Sequence, residues 1–422
     1  MTAEPGTPCP LFQRCHPAPY HAISRPSHPS CGPMRSVSLI HQSTKIAGFL
    51  LLSTLASVSH AATPEEIAAQ IESLSSDSYL RRENATEALL KAGPAAIDPL
   101  VKVLERGDLE TTQRAIGILQ SIAMARPIIE GESERPKLAR LDPDEPDAWE
   151  TLLSLSTMGG SRGERASMAV EEITHVRRAQ TIQTLSLQGA VIGVKEFVYG
   201  ATSTLQRVVE INEAYQGDDS LLELLRWIDR VEYARIEGPA IREGVLKGIT
   251  QMPDLKTLSL LYGDINMETM KVIGDLESID HLEFRYVTLN DEMIDAIAKL
   301  PIRVSLTLNG TDASSDRVDR LRQTLPGLKI EYKRGGFLGV RCNDTFNECI
   351  IQSVVEDSGA EAAGLRRDDV IIQANGEPVR RFADLQAVIN TRDPGQNIHI
   401  VYRRLNVEYE TDAKLGKLTE PN

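Results

Sequence analysis

Apolar positions change their spacing along the chain. Between Thr63 and Ala125 they recur at helical intervals. Leu80, Ala85, Ala88 and Leu89 form one stripe, Ile97, Leu100, Val101 and Leu104 a second, and Ala115, Ile116, Leu119 and Ile122 a third. Gly93-Pro94 and Gly107-Asp108 break the runs, and Thr63-Pro64-Glu65-Glu66 supplies an N-cap, a first-turn proline and acids that favour a helix start. Helices this short cannot bury an apolar face alone, so they must stack on one another.

Further on, the spacing becomes a repeat of 24 residues. Leu258, Leu282, Leu306 and Ile330 form one column, and Leu260, Phe284, Leu308 and Tyr332 another. Ile249, Ile273, Ile297 and Leu321 keep the same step, as do Ile241, Ile265 and Leu289. Weaker copies fall at Leu185/Leu187, Val209/Ile211 and Ala234/Ile236. Within a unit, the pair two apart reads as a strand and the later Ile as a helix face. Residues between the core columns then face outward on the concave sheet. Arg235, His281, Glu283 and Arg285 are the candidate contacts there, and a merely solvated face is the alternative. His281 and Glu283, two apart on an open strand, lack the pocket and third group that acid–base chemistry needs.

The helical run Arg82 to Leu90, with Gly93, Ala96 to Leu100, Arg114-Ala115 and Leu119, resembles HEAT-type helical repeats over 62–126; a generic bundle of three or four helices is the other reading. The pattern Leu255-x-x-Leu258-x-Leu260, followed by Ile265, resembles leucine-rich repeats of the longer α/β type over 175–333. That family usually has Asn or Cys three residues after the second strand Leu, whereas Gly263, Val287 and Thr311 stand here. Between the two, residues 127–174 read as a linker with short helices, one around Trp149 to Leu155. Its acidic centre, Asp142 to Asp147, lacks the glycine-centred spacing of a calcium loop.

From residue 334 the pattern becomes short strands with Gly and Pro punctuation. Gly335-Gly336-Phe337-Leu338-Gly339-Val340 opens a strand, then come Ser358 to Ile372, the turn Asn375-Gly376, a helix bearing Phe382, Leu385, Val388 and Ile389, and the strand Ile398 to Arg403. This order closely resembles a bacterial PDZ domain of the kind found in HtrA-type serine proteases, over 334–412, with 413–422 as a tail. Asp368 stands where that family usually has Gly. The resemblance implies a small α+β fold, a partly open barrel with two helices. It also implies a groove for peptide C-termini or extended segments. Glycines around Phe337 to Val340 let backbone N–H groups converge on a carboxylate, and the following strand edge accepts an extended peptide. Gly336, Phe337, Leu338, Gly339, Val340, Leu385 and Ile389 are the expected site, with Arg334 adding charge. Plain core packing is the competing role for each apolar member.

The first 61 residues concern targeting. Residues 1–33 carry eight of the chain's 22 prolines and no apolar periodicity, which excludes a packed core there and reads as a non-native or unfolded extension. Met34 opens a signal-peptide pattern over 34–61: Arg35 and Lys45, an apolar run Ile46 to Val58, and Ser59-His60-Ala61 for cleavage after Ala61. That run, 13 residues long, falls short of the ~20 that span a bilayer. The expected location is therefore periplasmic or extracellular, with no transmembrane helix in the mature chain. There, Cys342 and Cys349 form either a disulfide or two free thiols.

A net charge of -14, from 46 basic and 60 acidic residues, excludes the basic surface that nucleic acid demands. No serine-protease nucleophile motif, zinc-protease motif or phosphate loop occurs, so no catalytic residue, metal or cofactor is expected. The expected architecture is thus multidomain: α-helical repeats, an α/β solenoid, then the PDZ fold. The expected role is a secreted interaction scaffold with a protein or peptide partner. The alternatives are a protease-associated regulatory protein and a surface-packing protein that uses the solenoid alone.

Overall fold

The computed structural model describes residues 62–418 apart from 106–107, 132–134, 140–141, 200–201 and 346–347. The extension, the signal peptide and its cleavage point lie outside the described residues. The helical part comprises α1 (Pro64–Ser73), α2 (Tyr79–Ala92), α3 (Ile97–Leu104) and α4 (Leu109–Ala125), a minimal hairpin of β1 (Ile129–Glu130) and β2 (Lys137–Leu138), then α5 (Ala148–Ser156) and α6 (Gly160–Leu187). Thr63 caps α1 reciprocally: its Oγ1 accepts the Glu66 amide at 3.2 Å while Glu66 Oε2 accepts the Thr63 amide at 2.8 Å. Asp108 caps α4 through the Thr111 amide.

Helix α6 runs through the expected boundary between linker and repeats at 174/175, and Leu185/Leu187 lie in it, not in a strand. The breakers responsible for the linker reading end at Gly163, and no Gly or Pro follows until Gly189. Buried Arg177 of α6 reaches the last carbonyls of α4, at 2.7 Å from Ala123 O and 2.6 Å from Arg126 O. These are the acceptors a helix C-terminus leaves unsatisfied. Burial, with Arg226 nearby, holds the Arg177 pKa below the usual arginine value.

The middle of the chain builds one seven-stranded sheet. Its strands are β3 (Val191–Tyr199), β4 (Thr202–Ile211), β5 (Tyr233–Glu237), β6 (Thr257–Leu261), β7 (Ile279–Arg285), β8 (Ile302–Asn309) and β9 (Lys329–Lys333), in sequential order. β3 and β4 pair antiparallel, and every later neighbour is parallel. Leu258 sits opposite Leu282, Leu282 opposite Leu306 and Leu306 opposite Ile330, so the 24-residue columns run straight across the sheet. Helices α7 (Glu243–Ile249), α8 (Met267–Gly274), α9 (Asp291–Ile297) and α10 (Ser315–Thr324) bring Ile249, Ile273, Ile297 and Leu321 into the core behind it. Residues of α1 to α6 belong to the same hydrophobic cluster. Trp149 of α5 meets Trp227 edge-on with ring centroids 4.5 Å apart.

Residues of the opposite sheet face were expected to meet solvent, and here the structure differs. Arg235, Glu283 and Arg285 are 5%, 1% and 1% exposed. Glu283 accepts from Ser259 Oγ at 2.9 Å and from Arg285 Nε at 2.9 Å, while Arg235 lies 3.6 Å from Glu210. His281, half-buried, bonds Ser305 at 2.8 Å. Glu283 and Arg285 pair along one strand while Arg235 meets Glu210 on the next, and a buried charge is tolerated when it is paired.

The C-terminal part holds β10 (Val340–Thr345), β11 (Glu348–Val354), α11 (Gly359–Ala362), β12 (Val370–Ala374), β13 (Glu377–Pro378), α12 (Phe382–Asn390), β14 (Asn397–Arg404) and β15 (Val407–Lys414). The sheet order is β10-β11-β12-β14-β15 with β13 on β12, and its core is a separate cluster that includes Leu338, Ile351, Leu385 and Ile400. Cys342 and Cys349 are not bridged to each other. Cys342 faces Ile351 and Cys349 faces Asp344, so the two cysteines are diagonal neighbours across the ladder. Diagonal positions stand roughly 7–8 Å apart, beyond ordinary disulfide reach. Among the described residues no helix is long and apolar enough to cross a membrane.

Candidate functional site

The segment 334–340 links the two sheets and leads into β10. Most of its backbone groups are committed. The Arg334 amide donates to Asn390 O and the Gly336 amide to Arg392 O, each at 2.9 Å. Phe337 and Gly416 exchange two bonds, at 3.0 and 2.8 Å. Leu338 O then accepts from Ala360 N, and Gly339 O from Val355 N, both at 2.8 Å.

Three successive carbonyls, of Phe337, Leu338 and Gly339, are therefore pinned by the C-terminal segment, α11 and the turn after β11. In a trans peptide the next residue's N–H points opposite the carbonyl. The N–H groups of Leu338, Gly339 and Val340 accordingly turn away from those partners. Among the described residues the Leu338 and Gly339 amides have no acceptor. β10 is the terminal strand of its sheet, so its outer edge lies open beside them. Gly339 is required twice: its φ is +87°, and a Cβ there would lie 2.2 Å from Ser358 Cβ.

The expected side chains divide. Leu338, Val340, Leu385 and Ile389 are all buried in the domain core, so α12 and the start of β10 are fixed against each other. Phe337 is half-buried, and its ring comes within 3.5 Å of the place a Gly339 Cβ would occupy. Gly336 packs too closely on Arg392 O to admit a side chain. Arg334 is exposed and committed to Asp393 by a bidentate pair at 2.8 and 2.7 Å. Each partner stabilises the other's charged form, raising the Arg334 pKa and lowering that of Asp393. Asp368 donates its amide to Ile351 O and has a φ of +69°, the backbone that explains a family preference for Gly.

The partners that aim the loop, Val355, Ala360 and Gly416, were not found from sequence. Their contribution is main-chain hydrogen bonding, which leaves no mark on residue type. Among the described residues no cluster of three or more His, Cys, Asp or Glu is placed to hold a metal.

Comparison with known proteins bears on this region. Residues 327–403 match the PDZ domain family model. That span starts in time to include β9, which pairs with the large sheet, and stops before β15. Two curated relatives match at 31% identity over 101 residues and 25% over 114. They are the probable periplasmic serine protease do/HhoA-like of Haemophilus influenzae and the periplasmic pH-dependent serine endoprotease DegQ of Escherichia coli. The matches cover 23% and 27% of this chain, and the chain spans about a fifth, 21%, of each relative's length. Among solved structures, the HtrA3 PDZ domain bound to a phage-derived ligand is 22% identical with a TM-score of 0.18, covering 20% of this chain and 86% of that one. The HtrA-type protease AlgW with a decapeptide is 20% identical with a TM-score of 0.20, covering 26% and 36%. The segment that carries the open strand and its two unbonded amides, residues 327–403, is a PDZ domain.

Proposed function

We propose that the chain is an exported, non-enzymatic interaction scaffold whose PDZ domain takes the C-terminus or an extended segment of another polypeptide by strand addition to β10. The observation that carries this reading is the pair of Leu338 and Gly339 amides left without acceptors beside an open sheet edge. A terminal carboxylate supplies two charged acceptors for such donors, and the peptide behind it continues the ladder. The groove residues in this reading are Leu338, Gly339 and Val340 through their backbone, with Phe337 and the α12 residues Leu385 and Ile389 shaping its wall.

In the same proposal the helices before residue 126 are HEAT-like repeats and the 24-residue units a leucine-rich-repeat-like solenoid, which together present the PDZ domain. The in-register columns support the solenoid, and the description of both curated relatives as periplasmic supports export. Because those relatives are also described as serine proteases, a protease-associated regulatory role is the second reading.

The test titrates the full chain with a peptide pool randomised at its last four positions, as free acids and as carboxamides. Selective binding of the free acids supports capture of a C-terminus, equal binding of the two forms refutes that in favour of an extended segment, and no binding refutes the proposal. Casein turnover by the same preparation that a serine-directed inhibitor abolishes would refute the non-enzymatic part.

A further inference from the structure

The turns that follow the parallel strands place one residue per unit in left-handed backbone: Gly238, Tyr262, Tyr286 and Gly310, with φ of 59°, 55°, 52° and 64°. They are 24 apart. Two units thus use the residue that left-handed backbone favours, and the two between them use tyrosine, which strains the chain there. Strain retained at a defined position calls for a compensating role.

The side chains show one. Tyr262 and Tyr286 stack with centroids 5.3 Å apart. Tyr286, 8% exposed, donates its hydroxyl to Gly335 O at 2.8 Å and accepts the Leu418 amide at 2.7 Å. The Tyr262 hydroxyl donates to Leu418 O, and Lys417 Nζ sits 5.3 Å from the Tyr286 ring centroid. The ring fills the space side chains would need at two glycines: a Cβ on Gly310 would lie 2.5 Å from Tyr286 Cδ1, and one on Gly335 3.0 Å from Cε1. Gly335 and Leu418 flank the exchanged bonds between Phe337 and Gly416, which immediately precede the unbonded amides of Leu338 and Gly339.

We infer that Tyr286, supported by Tyr262, is a positioning residue for peptide binding: the repeat sheet grips both strands at the base of the carboxylate cradle and fixes the direction of its amides. The inference rests on the cradle reading above. It makes the large sheet part of the binding machinery, so that PDZ affinity depends on a residue 49 positions before Gly335 and outside the PDZ domain.

The decisive variant is Tyr286→Phe, which keeps the ring stack and removes only the hydroxyl. In the full chain, the free-acid over carboxamide preference of the peptide pool should fall about fivefold, the worth of one neutral hydrogen bond. Amide exchange at Phe337 and Gly416 should quicken. A purely structural role would lower melting temperature without changing that preference. Wild-type preference in the variant, whatever its melting temperature or amide exchange, overturns the inference. A wild-type chain that shows no free-acid preference removes the cradle reading and this inference with it. Tyr262→Phe, which leaves the Tyr286 hydroxyl in place, should show a smaller change in the same direction; a larger one overturns the assignment to Tyr286.

Discussion

Gly339→Ala probes the cradle at its most constrained point. An alanine must keep φ near +87° or turn the peptide, and left-handed backbone costs a non-glycine residue about 1–2 kcal/mol. Its Cβ would also lie 2.2 Å from Ser358 Cβ and 2.4 Å from Ser358 Oγ. Ser358 cannot swing aside freely, because its Oγ donates to Val355 O at 2.6 Å and caps the Glu361 amide. Overpacking of this kind adds about 1–3 kcal/mol, for a combined loss of about 2–5 kcal/mol. Ser358→Gly removes the obstructing Cβ and, as an N-cap change to glycine, costs only a few tenths of a kcal/mol. In urea denaturation the double variant should therefore recover about 1–3 kcal/mol relative to Gly339→Ala. Peptide binding should remain at least about tenfold weaker in the double variant, since turning one peptide misdirects a charge-assisted donor. Additive stability changes, or wild-type binding by Gly339→Ala, would refute the reasoning.

Other perturbations have equally defined outcomes. Asp369 is 1% exposed, accepts two bonds from Arg404 at 2.7 Å and accepts the Arg366 amide, so Asp369→Ala should cost about 2–4 kcal/mol by urea denaturation. Asp393 should titrate below the ordinary carboxylate range by carbon NMR and return towards it in Arg334→Ala. Because its folded pKa is depressed, the Arg334–Asp393 tether stabilises the fold above the unfolded value near ~3.9 and loses that contribution as pH falls through the folded value. Phe284, 0% exposed in the large sheet, should cost about 3–5 kcal/mol when cut to alanine, read by thermal or urea unfolding.

How much of this was legible in the sequence follows from how each feature is encoded. The columns through Leu258, Leu282 and Leu306 were legible because neighbouring parallel strands repeat the spacing of their side chains. The backbone demand for glycine at Gly339 was legible, and its φ of +87° shows that demand. Helix α6 was missed because the Pro- and Gly-rich stretch before it set the reading of the whole segment, while its own residues carry weak amphipathicity. The burial of Arg235, Glu283 and Arg285 could not be read, since a charge at an alternating strand position looks the same whether it meets water or a buried partner. The Arg334–Asp393 pair, 59 residues apart, leaves no local pattern. Tyr262 and Tyr286 do share the 24-residue step, but the hydrophobic columns drew the reading to the strands and away from the turns that follow them.

The most direct test of the central claim follows the amide resonances of Leu338 and Gly339 by proton–nitrogen NMR during titration with a binding free-acid peptide and its carboxamide. Both signals should move downfield with the acid, as each amide gains a charged acceptor, and stay near their free positions with the carboxamide. Binding of the free acid that shifts β10 resonances but leaves these two amides unmoved would contradict the account.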